Sequence, residues 1–441
     1  MAVKHSIVAR LPFYYGWIVV ATAFATMAVA VNARTSFSLL FPAILEEFDW
    51  NRGTTAGAFS VGFVASAFAI PIIGMMMDRW GPRVVIPIGA VMVVSGLVGA
   101  TYISTPIGIY ATLGVLVVGG SMAMSYISHS MFLTNWFVKR RGLAIGIAFS
   151  GVGVGAILLL PWIGQIIDGA GWRIACITLA VAVAMIVPLN LFFQRMRPED
   201  LGLKADGESH DSTKPHVPSP DPVVDKEWAD KNWTPAMAVR TSRFWWISLT
   251  YFCGLFAWYA VLVHQTAYLI EVGFDSIAAA QALGIVGLLG VVGQIGVGGL
   301  SDRIGREWAW TLGLIGFAIC YGALILLASG PSVMWLYIMI VAQGGIGFGL
   351  AAIFGAITAE VFPGQRFATI FGLTSLAGNL GGGAGPWVTG YIYDVYGSYL
   401  PAFWLCIGML LISAVAVWLA APRKVRLVAG QAKRRQARLS R

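Results

Sequence analysis

Three ionisable side chains lie inside long apolar stretches of this sequence, where a charge is costly and therefore usually functional. They are Arg34, His129 and His264. An arginine keeps its charge and offers paired N–H donors that match a carboxylate. A histidine can bind and release a proton near neutral pH. These residue types indicate a protein that holds an organic anion and moves a proton with it.

Arg34 is the main candidate for contact with the anion, and Asn32 lies beside it in the sequence VNARTS. It lies about 6 residues, or on the order of 9 Å, beyond the centre of the first apolar stretch at the rise of an α-helix. Two other interpretations are open. The guanidinium could reach the membrane interface along its aliphatic stem, or a structural neighbour could neutralise it.

His264 lies at a similar depth in the seventh apolar stretch, and it is predicted to bind substrate or to carry the coupled proton. A hydrogen bond within the protein interior explains it equally well. His129 follows Tyr126 by three residues, so both lie on one helix face, which lines either a cavity or a packed interface. The predicted substrate site is completed by three neutral amides, Gln294, Gln343 and Asn379.

Composition indicates that a lipid bilayer is the solvent of this chain. Of its residues 58% are hydrophobic and 11% are charged, unlike a soluble globular domain. The net charge of +9 does not indicate nucleic-acid binding, because the basic residues fall in alternate loops and in the tail 423–441, as the positive-inside rule requires. All four cysteines lie in apolar runs. We therefore expect no disulfide, no metal site and no cofactor.

Apolar runs of about 20 residues or more predict membrane-spanning helices. The predicted spans are 14–41, 55–77, 83–104, 108–137, 142–168, 171–194, 244–271, 277–300, 307–329, 333–361, 366–393 and 397–421. The first is too long for the apolar region of a cleaved signal peptide. The distribution of Lys and Arg places both termini in the cytoplasm.

A charged motif occurs twice at matching places, after the second and the eighth span. The first copy is GMMMDRWGPR at 74–83 and the second is GGLSDRIGR at 298–306. Glycine permits a sharp reversal there, and aspartate is favoured at a helix N-terminus. A second pair, GQIIDGAG at 164–171 and GYIYDVYG at 390–397, repeats with the same spacing. The chain is therefore predicted to consist of two similar halves.

These repeats define the domain organisation. We predict a six-helix bundle over 1–194, a cytoplasmic linker over 195–243, a second six-helix bundle over 244–421 and a basic tail over 422–441. The segment 208–225 has the Ser, Pro and charge content of a flexible linker. The fold class is an all-α membrane protein with twelve transmembrane helices in two pseudo-symmetric bundles.

The motif G-x-x-x-D-R-x-G-x-R and the parallel six-span repeats resemble the major facilitator superfamily. The segments YGW at 15–17, FDWNR at 48–52 and WFVKRRGLAIG at 136–146 are similar to the monocarboxylate transporters and their bacterial relatives. The resemblance implies gating roles for the charged residues of the first motif, Asp78, Arg79 and Arg83. For Asp302, Arg303 and Arg306 in the second motif, gating and a simple topology anchor are both open.

The glycines of the fifth and eleventh spans permit close packing of helices, and the resemblance places these helices at a surface along which the two halves move. Two departures weaken a simple lactate or oxalate carrier. Gln294 stands nearest to the place where the narrower family has a substrate-binding arginine, and the eleventh span lacks the lysine of the oxalate–formate exchangers.

The function that these observations favour is secondary active transport of a small organic anion, a monocarboxylate, by alternating access with proton symport. Export of a drug or metabolite and a receptor that does not transport are the alternatives. No grouping of a nucleophile with a base indicates an enzyme. We expect a monomer in a bacterial cytoplasmic membrane that binds the substrate, protons and lipid.

Overall fold

The computed structural model describes residues 12–50, 52–207 and 222–439. In this part of the chain twelve long helices account for most residues, which confirms the predicted all-α fold. In chain order, α1 to α12 comprise 16–48 (Gly16–Thr35 and Phe37–Phe48), Arg52–Trp80, Pro82–Ala100, Pro106–Trp136, Arg141–Ala170, Trp172–Phe193, Ser242–Glu271, Ser276–Ile304, Arg306–Leu327, Val333–Val361, Phe367–Tyr396 and Leu400–Ala420.

Among the described residues, ten of these helices are long and apolar enough to cross a membrane. The other two, α2 and α11, have 29 and 30 residues. The first predicted span, 14–41, agrees with the candidate span Gly16–Phe41, and α1 continues beyond it to Phe48. The chain is a multi-pass integral membrane protein.

Glycines in the repeated motifs make the tight reversals that the sequence predicts. Gly81, between α2 and α3, has φ 71°, and Gly305, between α8 and α9, has φ 109°. The glycines of the second repeat, Gly171 and Gly397, also have positive φ, at 87° and 62°. L residues rarely adopt a positive φ, so all four turns use glycine for the same reason. Gly81 and Gly305 also agree in ψ, at 176° and 158°, which supports the duplication inferred from the sequence.

The helices group into two compact units. One comprises Met1–Trp136 and Ala148–Ser209, and the other comprises Phe137–Ile147 and His210–Arg441. The short segment Phe137–Ile147, which includes the start of α5, thus belongs with the second unit although it lies in the first half of the sequence. The sequence placed it in the first bundle.

Close helix packing in the first unit depends on two glycines of α5. A methyl group added at Gly151 would overlap the carbonyl oxygen of Phe24, and one at Gly155 would overlap that of Ala28. Both carbonyls belong to α1. Backbones that approach so closely gain dispersion energy where apolar burial alone contributes little.

The second unit repeats this arrangement between α11 and α7. Gly381 lies against the carbonyl oxygen of Phe252, and Gly385 lies against that of Phe256. In both units the glycines are four residues apart and meet carbonyls four residues apart. These four glycines therefore serve packing inside each unit.

The described part of the segment that precedes α7 contacts other residues of the second unit. Val223 pairs with Arg426, and the Trp228 indole N–H donates to the carbonyl oxygen of Val361 at 2.7 Å. Trp233 meets the ring of Phe362 edge-on at 5.1 Å. Aromatic contacts of this kind outweigh the polar composition of the segment. Residues 208–221 of the predicted linker lie outside the described residues.

The basic tail contains a further helix, α13, over Ala429–Leu439. Gln431 Nε2 donates to the carbonyl oxygen of Ile304 at 2.7 Å, and Arg434 donates to that of Arg303 at 3.2 Å. The last carbonyls of a helix have no partners within the helix. The tail therefore caps the C-terminal end of α8.

Gly385→Ala is expected to destabilise the protein, because its methyl group meets a backbone carbonyl that cannot rotate away. Overpacking of this kind typically costs about 1–3 kcal/mol. Gly383→Ala in the same helix is the matched control, since a methyl group there meets nothing within 4 Å. Thermal unfolding of the purified variants measures the difference. Equal melting temperatures for the two variants would contradict the packing role of Gly385.

Candidate functional site

Arg34 lies in a polar segment of α1 in which the side chains of Asn32 and Ser36 donate hydrogen bonds to backbone carbonyl oxygens. Asn32 Nδ2 donates to the carbonyl oxygens of Ala28 at 2.8 Å and Val152 at 3.0 Å. Ser36 donates to the carbonyl oxygen of Asn32 at 2.8 Å. Hydroxyl groups bonded back to the preceding turn disturb a helix, and α1 is interrupted at Ser36. Asn32 thus joins α1 to α5.

The Arg34 guanidinium is half-buried, and its Nη1 lies 3.9 Å from the sulfur of Met122. Met122 lies in α4, at a short 3-10 turn over Met122–Met124 that follows a π-helical segment. The Met122 carbonyl oxygen accepts from the hydroxyls of Ser125 and Ser128, both at 2.8 Å. Serine side chains therefore stabilise the irregular backbone beside Arg34.

The second unit contains a matching interruption in α10. Its α-helical start, Val333–Ile340, gives way to a π-helical segment over Val341–Ile346 and a 3-10 turn over Gly347–Gly349. π-Helical segments occur frequently at functional sites. The duplication therefore extends to the irregular parts of the helices, which the sequence did not predict.

His129 is fully buried in α4 and is held in one orientation. Its Nδ1 lies 3.0 Å from the carbonyl oxygen of Ser125, and because a carbonyl only accepts, Nδ1 carries a proton. Tyr126 is half-buried and meets Phe149 edge-on at 4.8 Å. The two residues that share a predicted face thus differ in exposure, and the geometry of His129 is that of a packed residue.

The predicted amides differ in how their polar atoms are used. Asn379 Nδ2 donates to the carbonyl oxygen of Ser375 at 3.1 Å. Gln343 is fully buried in the π-helical segment of α10, and neither of its amide atoms has a partner among the described residues. The same holds for Oε1 of Gln294. Buried polar atoms are normally hydrogen-bonded, so Gln343 and Gln294 have the capacity to bind a polar ligand.

His264 is half-buried near the end of α7, and both ring nitrogens have partners. Nε2 lies 2.9 Å from the carbonyl oxygen of Pro386 in α11, and Nδ1 lies 3.4 Å from the hydroxyl of Tyr399 at the start of α12. The imidazole therefore joins three helices of the second unit. The hydrogen bond within the protein interior that the sequence left open for His264 is therefore present, at Nε2. The other ring nitrogen, Nδ1, faces a hydroxyl group.

Asp302 of the second motif binds the N-terminus of α5. Its carboxylate accepts from the backbone N–H groups of Gly142 at 2.9 Å and Leu143 at 3.1 Å. The first N–H groups of a helix have no partners within it, and the helix dipole favours an anion there. The predicted preference of this aspartate for a helix N-terminus is confirmed, and the helix is α5.

The Asp302 carboxylate also belongs to a buried ion network. Arg306 Nη1 lies 2.8 Å from Asp302, and Arg306 Nε donates to Glu360 at 2.8 Å. Arg141 Nη1 lies 3.6 Å from the same Glu360 oxygen. Two arginines thus share one carboxylate at the ends of α5, α8, α9 and α10. Burial of these charges is tolerable because each is paired.

The first motif copy differs in surroundings. Asp78 is half-buried, and Arg79 is exposed with its guanidinium 5.7 Å from the ring of Trp80. Arg83 donates from Nε to the carbonyl oxygen of Leu191 at 2.7 Å, which ties α3 to the end of α6. In the second copy, Arg303 is exposed and its carbonyl oxygen accepts from the tail.

Glu360 was missed by the sequence reasoning, and the count of three ionisable groups within the spans was wrong. Glu360 lies in the predicted span 333–361 and is 3% exposed. Its position one residue from the end of that span made it resemble an interfacial charge. No sequence pattern marked it, because its partners Arg141 and Arg306 lie far from it in the chain. Within the described residues, no group of His, Cys, Asp and Glu could hold a metal ion.

Comparison with known proteins gives the family. A family model described as Major Facilitator Superfamily matches residues 20–359 and 341–441. Human Monocarboxylate transporter 11 is 25% identical over 428 residues, which cover 93% of this chain and 83% of the relative. Rat Monocarboxylate transporter 13 is 24% identical over 390 residues, which cover 88% of this chain and 85% of the relative. These relatives are transporters and not enzymes.

Solved structures share the fold. The proton:xylose symporter XylE bound to 6-bromo-6-deoxy-D-glucose matches with a TM-score of 0.71 and 14% identity, covering 95% of this chain and 98% of the symporter. The human organic anion transporter MFSD10 matches with a TM-score of 0.66 and 17% identity, covering 92% of this chain and all of that chain (100%). At such identities the likeness shows the fold alone.

Glu360→Gln is expected to lower the free energy of unfolding by about 3–5 kcal/mol, because it leaves two buried guanidinium groups without their shared charge. Thermal unfolding of the purified variant in detergent measures the loss.

Glu47→Gln is the matched control. Glu47 pairs with Arg173, and both side chains are nearly 40% exposed, at 39% and 38%. The hydrogen bond from Arg173 lowers the pKa of Glu47, but a solvent-exposed pair contributes only about 1 kcal/mol or less. If both variants lose the same free energy of unfolding, the buried Glu360 network stabilises the protein no more than an exposed ion pair does, which would contradict the prediction.

Proposed function

Because the chain belongs to the major facilitator superfamily, we propose that it is a secondary transporter of a small organic anion, a monocarboxylate. It carries the anion by alternating access together with a proton. The membrane is a bacterial cytoplasmic membrane, both termini are cytoplasmic, and the protein acts as a monomer.

The half-buried guanidinium of Arg34 is the observation that carries this proposal. It lies within an apolar helix, where a permanent charge is costly unless it has a use. The neighbouring polar side chains Asn32 and Ser36 bond to backbone carbonyls. Because the donors of Asn32 and Ser36 are used in these backbone hydrogen bonds, we assign recognition of the carboxylate to Arg34. The names of the monocarboxylate relatives agree with an anionic substrate.

The neutral amides of the second unit give polar support. Gln343 and Gln294 are buried and have amide atoms without partners among the described residues. An amide can donate and accept hydrogen bonds without adding charge. Gln343 and Gln294 are therefore suited to bind a polar neutral group of a substrate.

We assign gating to the motif residues. The bonds of Asp302 to Gly142 and Leu143 stabilise the arrangement of α5 and α8 seen here. A gate works only through different interactions in its two states, so the transport cycle must break these bonds. Arg306 and Glu360 hold the Asp302 carboxylate in position, so that its bonds to Gly142 and Leu143 can form again later in the cycle. Asp78, Arg79, Arg83 and Arg303 are assigned the same role from their place in the motifs.

Arg34→Ala is expected to abolish carboxylate uptake while the protein still inserts and folds. Arg34→Lys keeps the charge but loses the paired geometry. We expect its apparent affinity to fall about tenfold or more, since one hydrogen bond to a charged group contributes about 1.5–3 kcal/mol. Uptake of radiolabelled monocarboxylates into proteoliposomes measures both effects.

Arg173→Ala is the control, because Arg173 is an arginine of the same unit whose partner Glu47 lies outside the apolar segment of α1. It should retain uptake. Normal carboxylate transport by Arg34→Ala would overturn the assignment of Arg34 and with it the organic-anion proposal.

A further inference from the structure

The two ring nitrogens of His264 have chemically different partners. Nε2 faces the carbonyl oxygen of Pro386 at 2.9 Å. A carbonyl accepts and cannot donate, so Nε2 carries a hydrogen whether the imidazole is neutral or charged. The nitrogen that gains and loses a proton is therefore Nδ1, and it faces the hydroxyl of Tyr399 at 3.4 Å.

Tyr399 is 7% exposed and covers Nδ1. Its ring stacks on Tyr393 with centroids 4.3 Å apart and on Phe403 at 6.0 Å. A phenol both donates and accepts hydrogen bonds, so it can give its proton to a base while its oxygen takes another. A proton that reaches Nδ1 from this side has to pass through the Tyr399 hydroxyl.

Acidic residues lie in the segments that carry these rings. Glu271 is the exposed last residue of α7, and the exposed Asp394 follows Tyr393 in α11. Carboxylates on a surface attract protons, which makes this end of the unit suited to collect them.

Tyr268 shows that the position of a hydroxyl, and not merely a tyrosine in the cluster, matters here. Its ring meets Tyr399 edge-on at 5.7 Å. Its hydroxyl donates to the carbonyl oxygen of Leu324 at 2.8 Å and is therefore directed away from His264. The chain thus offers two buried tyrosines in contact, of which only one serves the histidine.

We propose that the Tyr399 hydroxyl delivers the coupled proton to His264 Nδ1, and we call this route the path. This inference rests on the proposed proton symport. In the step at the histidine, the Tyr399 O–H bond breaks as the N–H bond at Nδ1 forms, and the phenol oxygen takes a replacement proton from the surrounding solution. One proton has moved inward, the imidazole is cationic and the tyrosine is neutral again.

The substitution Tyr399→Phe tests the path, because it removes the hydroxyl and keeps the stacked ring. The variant is reconstituted with an entrapped pH dye, and radiolabelled lactate, pyruvate and butyrate are the probes. Acid-driven accumulation and the proton influx that accompanies the carboxylate should be lost, whereas exchange of the carboxylate across the membrane at equal pH should continue.

Tyr268→Phe is the matched control, and it should keep acid-driven accumulation and its pH profile. Liposomes without protein correct for passive diffusion of the acids. Accumulation by Tyr399→Phe with the wild-type pH profile would overturn the path. Equal loss in Tyr399→Phe and Tyr268→Phe would also overturn it, since the effect would then belong to the aromatic cluster. If wild-type protein exchanges a carboxylate without any proton influx, proton symport fails and the path fails with it, whereas anion transport stands.

Discussion

The apolar interior of a bilayer offers no water to backbone N–H and C=O groups, so each needs a partner inside the protein. Regular helices satisfy this demand, and at the irregular backbone of α4 side chains supply the missing partners. In α4 the carbonyl oxygen of Met122 accepts hydrogen bonds from the hydroxyl groups of Ser125 and Ser128. This irregular backbone lies next to Arg34, so the charged side chain and the compensated backbone carbonyl are neighbours.

Charged groups obey the same constraint. The carboxylate of Glu360 serves Arg306 and Arg141 at once, while Asp302 uses its two oxygens for the first N–H groups of α5. A buried charge without such partners would cost more than the fold can supply. These bonds fasten the start of α5 to Asp302 at the end of α8, as the proposed gating role requires.

Much of this could be read from the sequence. Apolar runs predicted the helices, and the repeated glycines at 81 and 305 predicted reversals that have positive φ. The partner of Asp302 could not be predicted, because the N-terminus of α5 lies about 160 residues away in the chain, and periodicity carries no information on such contacts. Glu360 escaped for a related reason, since a carboxylate near a span end looks the same whether it faces water or two arginines. The contact between Tyr399 and His264 could not be predicted either, because it depends on the orientation of the imidazole ring, which the sequence does not encode locally.

The charge of the transported solute tests the central claim most directly. Purified wild-type protein in proteoliposomes can be offered radiolabelled monocarboxylates, a neutral sugar and an organic cation, each with and without an inward acid gradient. The account predicts saturable uptake of a monocarboxylate that the acid gradient drives above equilibrium, with no uptake of the other two classes. Saturable transport of the sugar or the cation, with no carboxylate carried, would contradict it.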